Sequence, residues 1–215
     1  MDFQEKQKYD IDDLLKIMKL LRSPEGCPWD REQDHKSIRN GFLEEAYEAV
    51  EAIDTEDSTL LCEELGDVLL QVVFHAALEE EAGRFDFSDV VDGVSKKMVE
   101  RHPHVFGNVN VKTSEDVLVH WDAIKQRTKS QKTQSEVLKG VSVALPALMR
   151  SAKVQKKAAK VGFDWPDVQG AFDKVEEELK ELKEAAETGE KTRCEEELGD
   201  LLFSVVNVSR FLGVE

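Results

Sequence analysis

The chain has 215 residues, a formal net charge of −16 and a pI near 4.8. This balance argues against a non-specific binder of nucleic acid or anionic membrane, because both need a basic footprint. Hydrophobic residues make up 40% and charged residues 34%, which suits a packed core under solvated helix faces, and no apolar run reaches the length of a membrane span.

In chain order, Met1 to Tyr9 is polar and lacks a signal-peptide core. Asp10 to Arg22 reads as an amphipathic helix, with Ile11, Leu14, Leu15, Met18 and Leu21 at helical spacing. Cys27-Pro28-Trp29-Asp30 through His35 reads as an irregular connector, and Ser37 as the N-cap of a second helix ending between Asp54 and Asp57. Asp57 or Ser58 caps a third helix running to about Ala82. Gly83-Arg84-Phe85-Asp86 is a turn, and Ser88 is expected to cap a helix from Asp89 to Arg101, stopped by Pro103. Thr113 opens a helix through Trp121 and Ile124. Polar Ser130 to Ser135 marks the candidate boundary. Beyond it, helices are expected over 146–161, 167–188 and 192–212. The fold class is all-α: a tandem repeat of antiparallel helical-bundle domains, 1–130 and 141–215, joined by a linker over 131–140. Three scattered cysteines, Cys27, Cys62 and Cys194, form no CxxC pair and fit a cytoplasmic setting.

The repeat is explicit. Glu44-Glu45-x-x-Glu48 followed by Glu64-Leu65-Gly66-Asp67 is echoed by Glu177-Glu178-x-x-Glu181 followed by Glu197-Leu198-Gly199-Asp200, every matched pair 133 positions apart. Acids three apart share a helix face. An antiparallel hairpin brings Glu45 and Glu48 towards Glu64 and Asp67, and Glu178 and Glu181 towards Glu197 and Asp200. Four converging carboxylates repel one another unless protonated or neutralised by a cation. A hard, all-oxygen cluster selects Mg²⁺ or Mn²⁺ over Zn²⁺. Such a centre points to metal-assisted chemistry on a phosphoryl group, with a carboxylate outside the tight ligand set orienting the water.

Any single Glu-x-x-Glu is usually a solvated face. Here the acids sit beside apolar positions, a Gly lies mid-helix in both copies, and the spacing is retained, which favours a metal site. Glu32-x-x-His35 has di-iron spacing but lies in the connector. His102-Pro103-His104 reads as helix termination, Trp121 and Trp165 as core aromatics, and Lys153, Lys156, Lys157 and Lys160 as a solvated face.

The paired acidic motifs, Cys27-Pro28-Trp29-Asp30, Gly83-Arg84-Phe85-Asp86-Phe87, Arg101-His102-Pro103-His104-Val105-Phe106 and Gly162-Phe163-Asp164-Trp165 together resemble MazG-type nucleoside triphosphate pyrophosphohydrolases of the all-α superfamily. The resemblance implies a Mg²⁺-dependent homodimer that cleaves NTPs and dNTPs between the α and β phosphates, giving a monophosphate and pyrophosphate. It places the metal-binding acids on Glu45, Glu48, Glu64 and Asp67 and on Glu178, Glu181, Glu197 and Asp200, with Glu45, Glu48, Glu178 and Glu181 as the catalytic ones. It places substrate-binding cations on Lys174 and Arg193 in the second copy, where the first has Gly41 and Leu60, and on Lys97 and Arg101 of a later helix in the first copy. The second copy ends before any counterpart of that helix, so its bundle is expected to be C-terminally incomplete: a shortened form, or one completed by another chain. The alternative is a non-enzymatic helical module that dimerises or binds a partner through a degenerate site.

Overall fold

The computed structural model of the chain describes residues 3–109 and 133–214, with Thr113, Val117, His120, Trp121 and Ile124 as single positions between them. Most of the helix expected from Thr113 therefore lies outside the described residues. Two compact units emerge, Met1–Val109 and Asn110–Glu215. No strand occurs among the described residues.

The first unit contains α1 (Ile11–Leu21), α2 (Pro28–Glu32), α3 (Arg39–Asp54), α4 (Ser58–Glu81), α5 (Phe87–Arg101) and the single turn α6 (Pro103–Phe106). The long α4 is the axis against which α1, α3 and α5 pack. Its core joins Met18 of α1, Ile38 before α3, and Val73 and Phe74 of α4, flanked by Leu14, Leu15, Leu70, Ala77, Leu78 and Phe87. Each such side chain contributes roughly 1.5–3 kcal/mol on burial. At one end, Arg22 lies over the Phe74 ring at 5.2 Å and forks onto Glu81 at 2.6 and 2.8 Å, tying the end of α1 to the end of α4.

The Gly83-Arg84-Phe85-Asp86 turn has a local cause for each of its polar residues. Gly83 takes φ +68°, a conformation disfavoured for residues with a Cβ. Arg84 folds back onto the Glu79 carboxylate, which it and His35 hold at a pKa of about 2. Asp86, rather than the expected Ser88, caps α5. Its carboxylate accepts from the Asp89 amide while the Asp89 side chain accepts from the Asp86 amide, and the helix starts at Phe87. Ser88 donates its hydroxyl to Asp86 at 2.6 Å.

Ser37 is displaced from its expected role in a similar way. Asp34 accepts from the Lys36 and Ser37 amides, both at 2.8 Å, and α3 begins after Ile38 with no side-chain cap. The connector read as irregular holds α2, whose first residue is Pro28, a position that suits a fixed φ. Asp57 caps α4 through the Thr59 and Leu60 amides, as expected.

The second unit contains α7 (Gln134–Lys139), α8 (Ala147–Ala159), α9 (Val168–Thr188) and α10 (Lys191–Leu212). Helices α9 and α10 form the hairpin, α8 packs on α10, and α7 on α8. The stretch read as a linker thus carries a capped helix: Thr133 and Glu136 form a reciprocal capping box at its start. Trp165 lies over Gly170 so closely that an added Cβ would meet its ring at 2.8 Å, which accounts for glycine in the first turn of α9. Among the described residues no helix is long and apolar enough to cross a membrane.

Candidate metal centre

In the first unit, α3 presents Glu45 and Glu48 one turn apart, and α4 presents Glu64. One oxygen from each lies within 4.8 Å of the others. Asp67 stands outside this trio, yet its charge reaches both Glu45 and Glu64. In the second unit the trio is Glu178 of α9 with Glu197 and Asp200 of α10, again within 4.8 Å. There Glu181 is the acid outside the trio. The hairpins therefore gather the predicted acids in both copies, three at a time and with a different member left out.

The electrostatics follow from that crowding. Burial, then the charges of Asp67, Glu48 and Glu44, push the Glu45 carboxyl above its ordinary value, while a hydrogen bond from Gln71 pulls the other way. Glu64, only 8% exposed, is raised by desolvation and then by Glu48 and Asp67. Glu181 is raised by desolvation and then by Glu197 and Glu178. Groups that resist ionisation together on a hard oxygen surface fit a divalent cation, whose charge would relieve both effects.

The two clusters differ in their counter-charges. Lys174 reaches Glu178 at 2.6 Å and Glu177 at 3.2 Å, and Arg193 lies 3.6 Å from Glu197. In the first copy the matching positions are Gly41 and Leu60. Gln71 fills the space over Gly41 instead, its amide nitrogen 3.1 Å from where a Cβ would stand. Lys97 and Arg101 sit one turn apart near the end of α5, Lys97 exposed and Arg101 half-buried. His102 ends that helix, its Nδ1 2.6 Å from the Met98 carbonyl oxygen. His35, with the spacing of a di-iron ligand, instead stacks on His75 with ring centroids 5.0 Å apart.

Among the described residues nothing packs against the mid-helix glycines. A Cβ on Gly66 or Gly199 would meet nothing within 4 Å. Gly66→Ala and Gly199→Ala are therefore expected to stabilise the fold, each by roughly 0.5–1 kcal/mol in thermal unfolding. A loss of stability would show that something outside the chain presses on these positions.

Beside the second trio opens a cavity of about 600 Å³ lined by residues from α8, the Gly162–Trp165 turn, α9 and α10. Glu178, Asp200 and Lys174 stand on its wall together with Gln155, Phe203, Ser204 and Asn207. Arg210 braces it, donating to Asp164 at 2.9 Å and to the Asn207 amide oxygen at 2.8 and 3.0 Å. Trp165, expected in the core, is 46% exposed and lines the cavity.

At the 133-residue offset, Ile38, Gln71 and Phe74 of the first copy correspond to Ala171, Ser204 and Asn207 of the second. Ile38 and Phe74 belong to the core of the first unit; of their counterparts, Asn207 lines the cavity of the second, while Ala171 is buried away from it. Sequence reasoning missed these cavity residues. At one of them the signal was a buried apolar position, Phe74, turned polar as Asn207.

The family described as the MazG nucleotide pyrophosphohydrolase domain matches residues 33–106 and 169–214, so both acidic hairpins fall within it. A "nucleoside triphosphate pyrophosphohydrolase/pyrophosphatase MazG" of Thermotoga maritima is 48% identical over 205 residues, 95% of this chain and 77% of that protein. A "nucleoside triphosphate pyrophosphohydrolase" of Escherichia coli is 47% identical over 208 residues, 95% of this chain and 79% of its own length. A solved MazG-related protein from Thermotoga maritima is 26% identical and aligns with 54% of this chain and 99% of its own, at a TM-score of 0.46. On the extent of the domain match and of the two nucleoside triphosphate pyrophosphohydrolase relatives, the chain belongs to the MazG nucleotide pyrophosphohydrolase family.

Proposed function

We propose that the chain is a nucleoside triphosphate pyrophosphohydrolase that works from its second unit, cleaving the bond between the α and β phosphates. The observation that carries this reading is the coincidence in one unit of a three-acid cluster, two cations against it and an adjoining cavity. The family name and the printed activities of its relatives supply the reaction class.

Glu178, Glu197 and Asp200 would hold a divalent cation, with Mg²⁺ favoured by the all-oxygen donor set and Mn²⁺ the other hard ion that suits it. When bound, that ion supplies positive charge against the triphosphate oxygens and makes the attacking water more acidic. Lys174 and Arg193 bind phosphate oxygens, exchanging part of their contact with Glu178 and Glu197 for the substrate. Glu181, outside the trio and with a raised pKa, is the base: its carboxylate takes the proton of the water that attacks phosphorus. The phosphorus–oxygen bond to the leaving pyrophosphate breaks as the new one forms, leaving the nucleoside monophosphate.

The first unit is the structural half. Its acids lack the lysine and arginine of the second, and its core is filled. The outer face of α3 carries Leu43, Tyr47, Val50 and Ile53, all exposed at helical spacing. That face supports pairing of two copies through this unit. Each unit is read as one MazG-like helical domain, and the free cysteines suit a reducing cytoplasm.

The test is product analysis with a dNTP. Pyrophosphate and dNMP in equal amounts, lost with EDTA and restored by Mg²⁺, are expected. Orthophosphate as the first product would overturn the reading.

A further inference from the structure

His35 and His75 lie outside both acid clusters and take no part in the proposed chemistry. His75 stands on α4, and His35 on the stretch between α2 and α3. Their rings are nearly parallel, 4° apart, and meet through the two Nδ1 atoms at 2.7 Å. A contact of that length between imidazole nitrogens needs one hydrogen, with one nitrogen donating and the other accepting. The other nitrogen of His35, Nε2, is buried without an aligned hydrogen bond, 2.7 Å from Oε1 of Glu79. Arg84 forks onto the same carboxylate, which stays ionised down to about pH 2. A negative oxygen that close favours a proton on Nε2. His35, when neutral, therefore accepts at Nδ1, and His75 donates its Nδ1–H. Phe42 of α3 tilts against His75 at 5.8 Å and adds no charge. Among the described residues, Glu79 and Arg84 are the charged groups on the pair.

We propose that this pair is a pH-operated clasp that holds the stretch leading into α3 against α4 and lets go when both imidazoles are protonated. A single added proton is accommodated: it sits between the two Nδ1 atoms, with His75 carrying its own hydrogen on Nε2. A second proton puts a hydrogen on each facing nitrogen and a positive charge on each ring, and the 2.7 Å contact cannot persist. Helix α3 begins at Arg39, just beyond His35, and carries Glu45 and Glu48. Release thus frees the end of the helix that presents two acids of the first cluster. Burial of His75, and then the charge of His35, make it harder to protonate in the folded chain. The folded chain then binds fewer protons there than the unfolded one. The clasp's contribution to stability is complete above the ordinary histidine value of 6.5 and is lost as pH falls below it.

The experiment titrates the full chain. NMR of isotope-labelled histidine reads the protonation and tautomer of each ring. Thermal unfolding compares the wild type with His75→Gln, whose amide donates to His35 without titrating. In mildly alkaline solution the ring hydrogen is expected on Nε2 of His35 and on Nδ1 of His75. Two coupled steps should follow on acidification, the second below 6.5. Between about pH 7.5 and about pH 5 the wild type should lose about 3 °C more in melting temperature than His75→Gln. The acid clusters are common to both proteins and cancel in this difference. Independent titration of the two rings, each in one step near 6.5, overturns the inference. Parallel stability profiles of the two proteins also overturn it. Should His75→Gln fail to fold, the wild-type spectra decide alone.

Discussion

Glu178→Gln is expected to lower kcat for pyrophosphate release by about three orders of magnitude, whereas Glu45→Gln leaves it within about two-fold. The two residues occupy matched positions in the repeat and both sit in acid trios. Among the described residues, Glu178 is contacted by Lys174, and its trio opens onto a cavity. The amide replacement keeps the size of the side chain and removes the charge, so a folded variant isolates the electrostatic contribution. Steady-state kinetics with a dNTP checks it. If Glu45→Gln abolishes turnover and Glu178→Gln does not, the first unit is the working one. The cavity would then have to be explained without catalysis.

Stability measured against pH, with and without Mg²⁺, carries the second large effect. Glu45, Glu64 and Glu181 have carboxyls raised above their ordinary value of 4.5. A raised carboxyl holds its proton more tightly in the folded chain than in the unfolded one. Between the ordinary value and the raised one, stability therefore falls as pH rises. Asp13, Asp34, Glu79 and Asp86 are shifted downwards, so their contribution is complete above the ordinary range and is lost only as the solution becomes strongly acid. His75, lowered by burial and then by His35, works the opposite way below 6.5, so the acid clusters are read from the part of the decline that Mg²⁺ reverses. In EDTA that decline is expected to be visible by thermal unfolding. Saturating Mg²⁺ at neutral pH should reverse it, contributing about 2.7 kcal/mol at one hundred times its Kd, or on the order of 10 °C. A melting temperature indifferent to Mg²⁺ at neutral pH would remove the metal from the account.

Much of this was legible in the residues because it depends on period and charge. The extents of α1, α4, α9 and α10 follow from apolar spacing, with Asp57 as the cap of α4, and the acid trios follow from three-residue spacing on paired helices. The misreadings occurred where two polar residues compete for one backbone role. Asp34 engages Ser37 before it can cap, and Asp86 takes the cap expected of Ser88. The cavity residues were not legible for another reason. Gln155, Ser204 and Asn207 are neutral, follow no motif, and gain meaning only when set against Arg22, Gln71 and Phe74 of the first copy. Which acid falls outside each trio, Asp67 or Glu181, depends on the hairpin geometry rather than on spacing.

The substitution of Asn207 for Phe74 also bears on how each unit unfolds. A hollow bundle opens locally at lower free energy than a filled one. Amides of α9 and α10 should exchange with deuterium before those of α4. A nucleotide occupying the hollow would slow that exchange, so if the second unit is the working half its rigidity would rise with substrate.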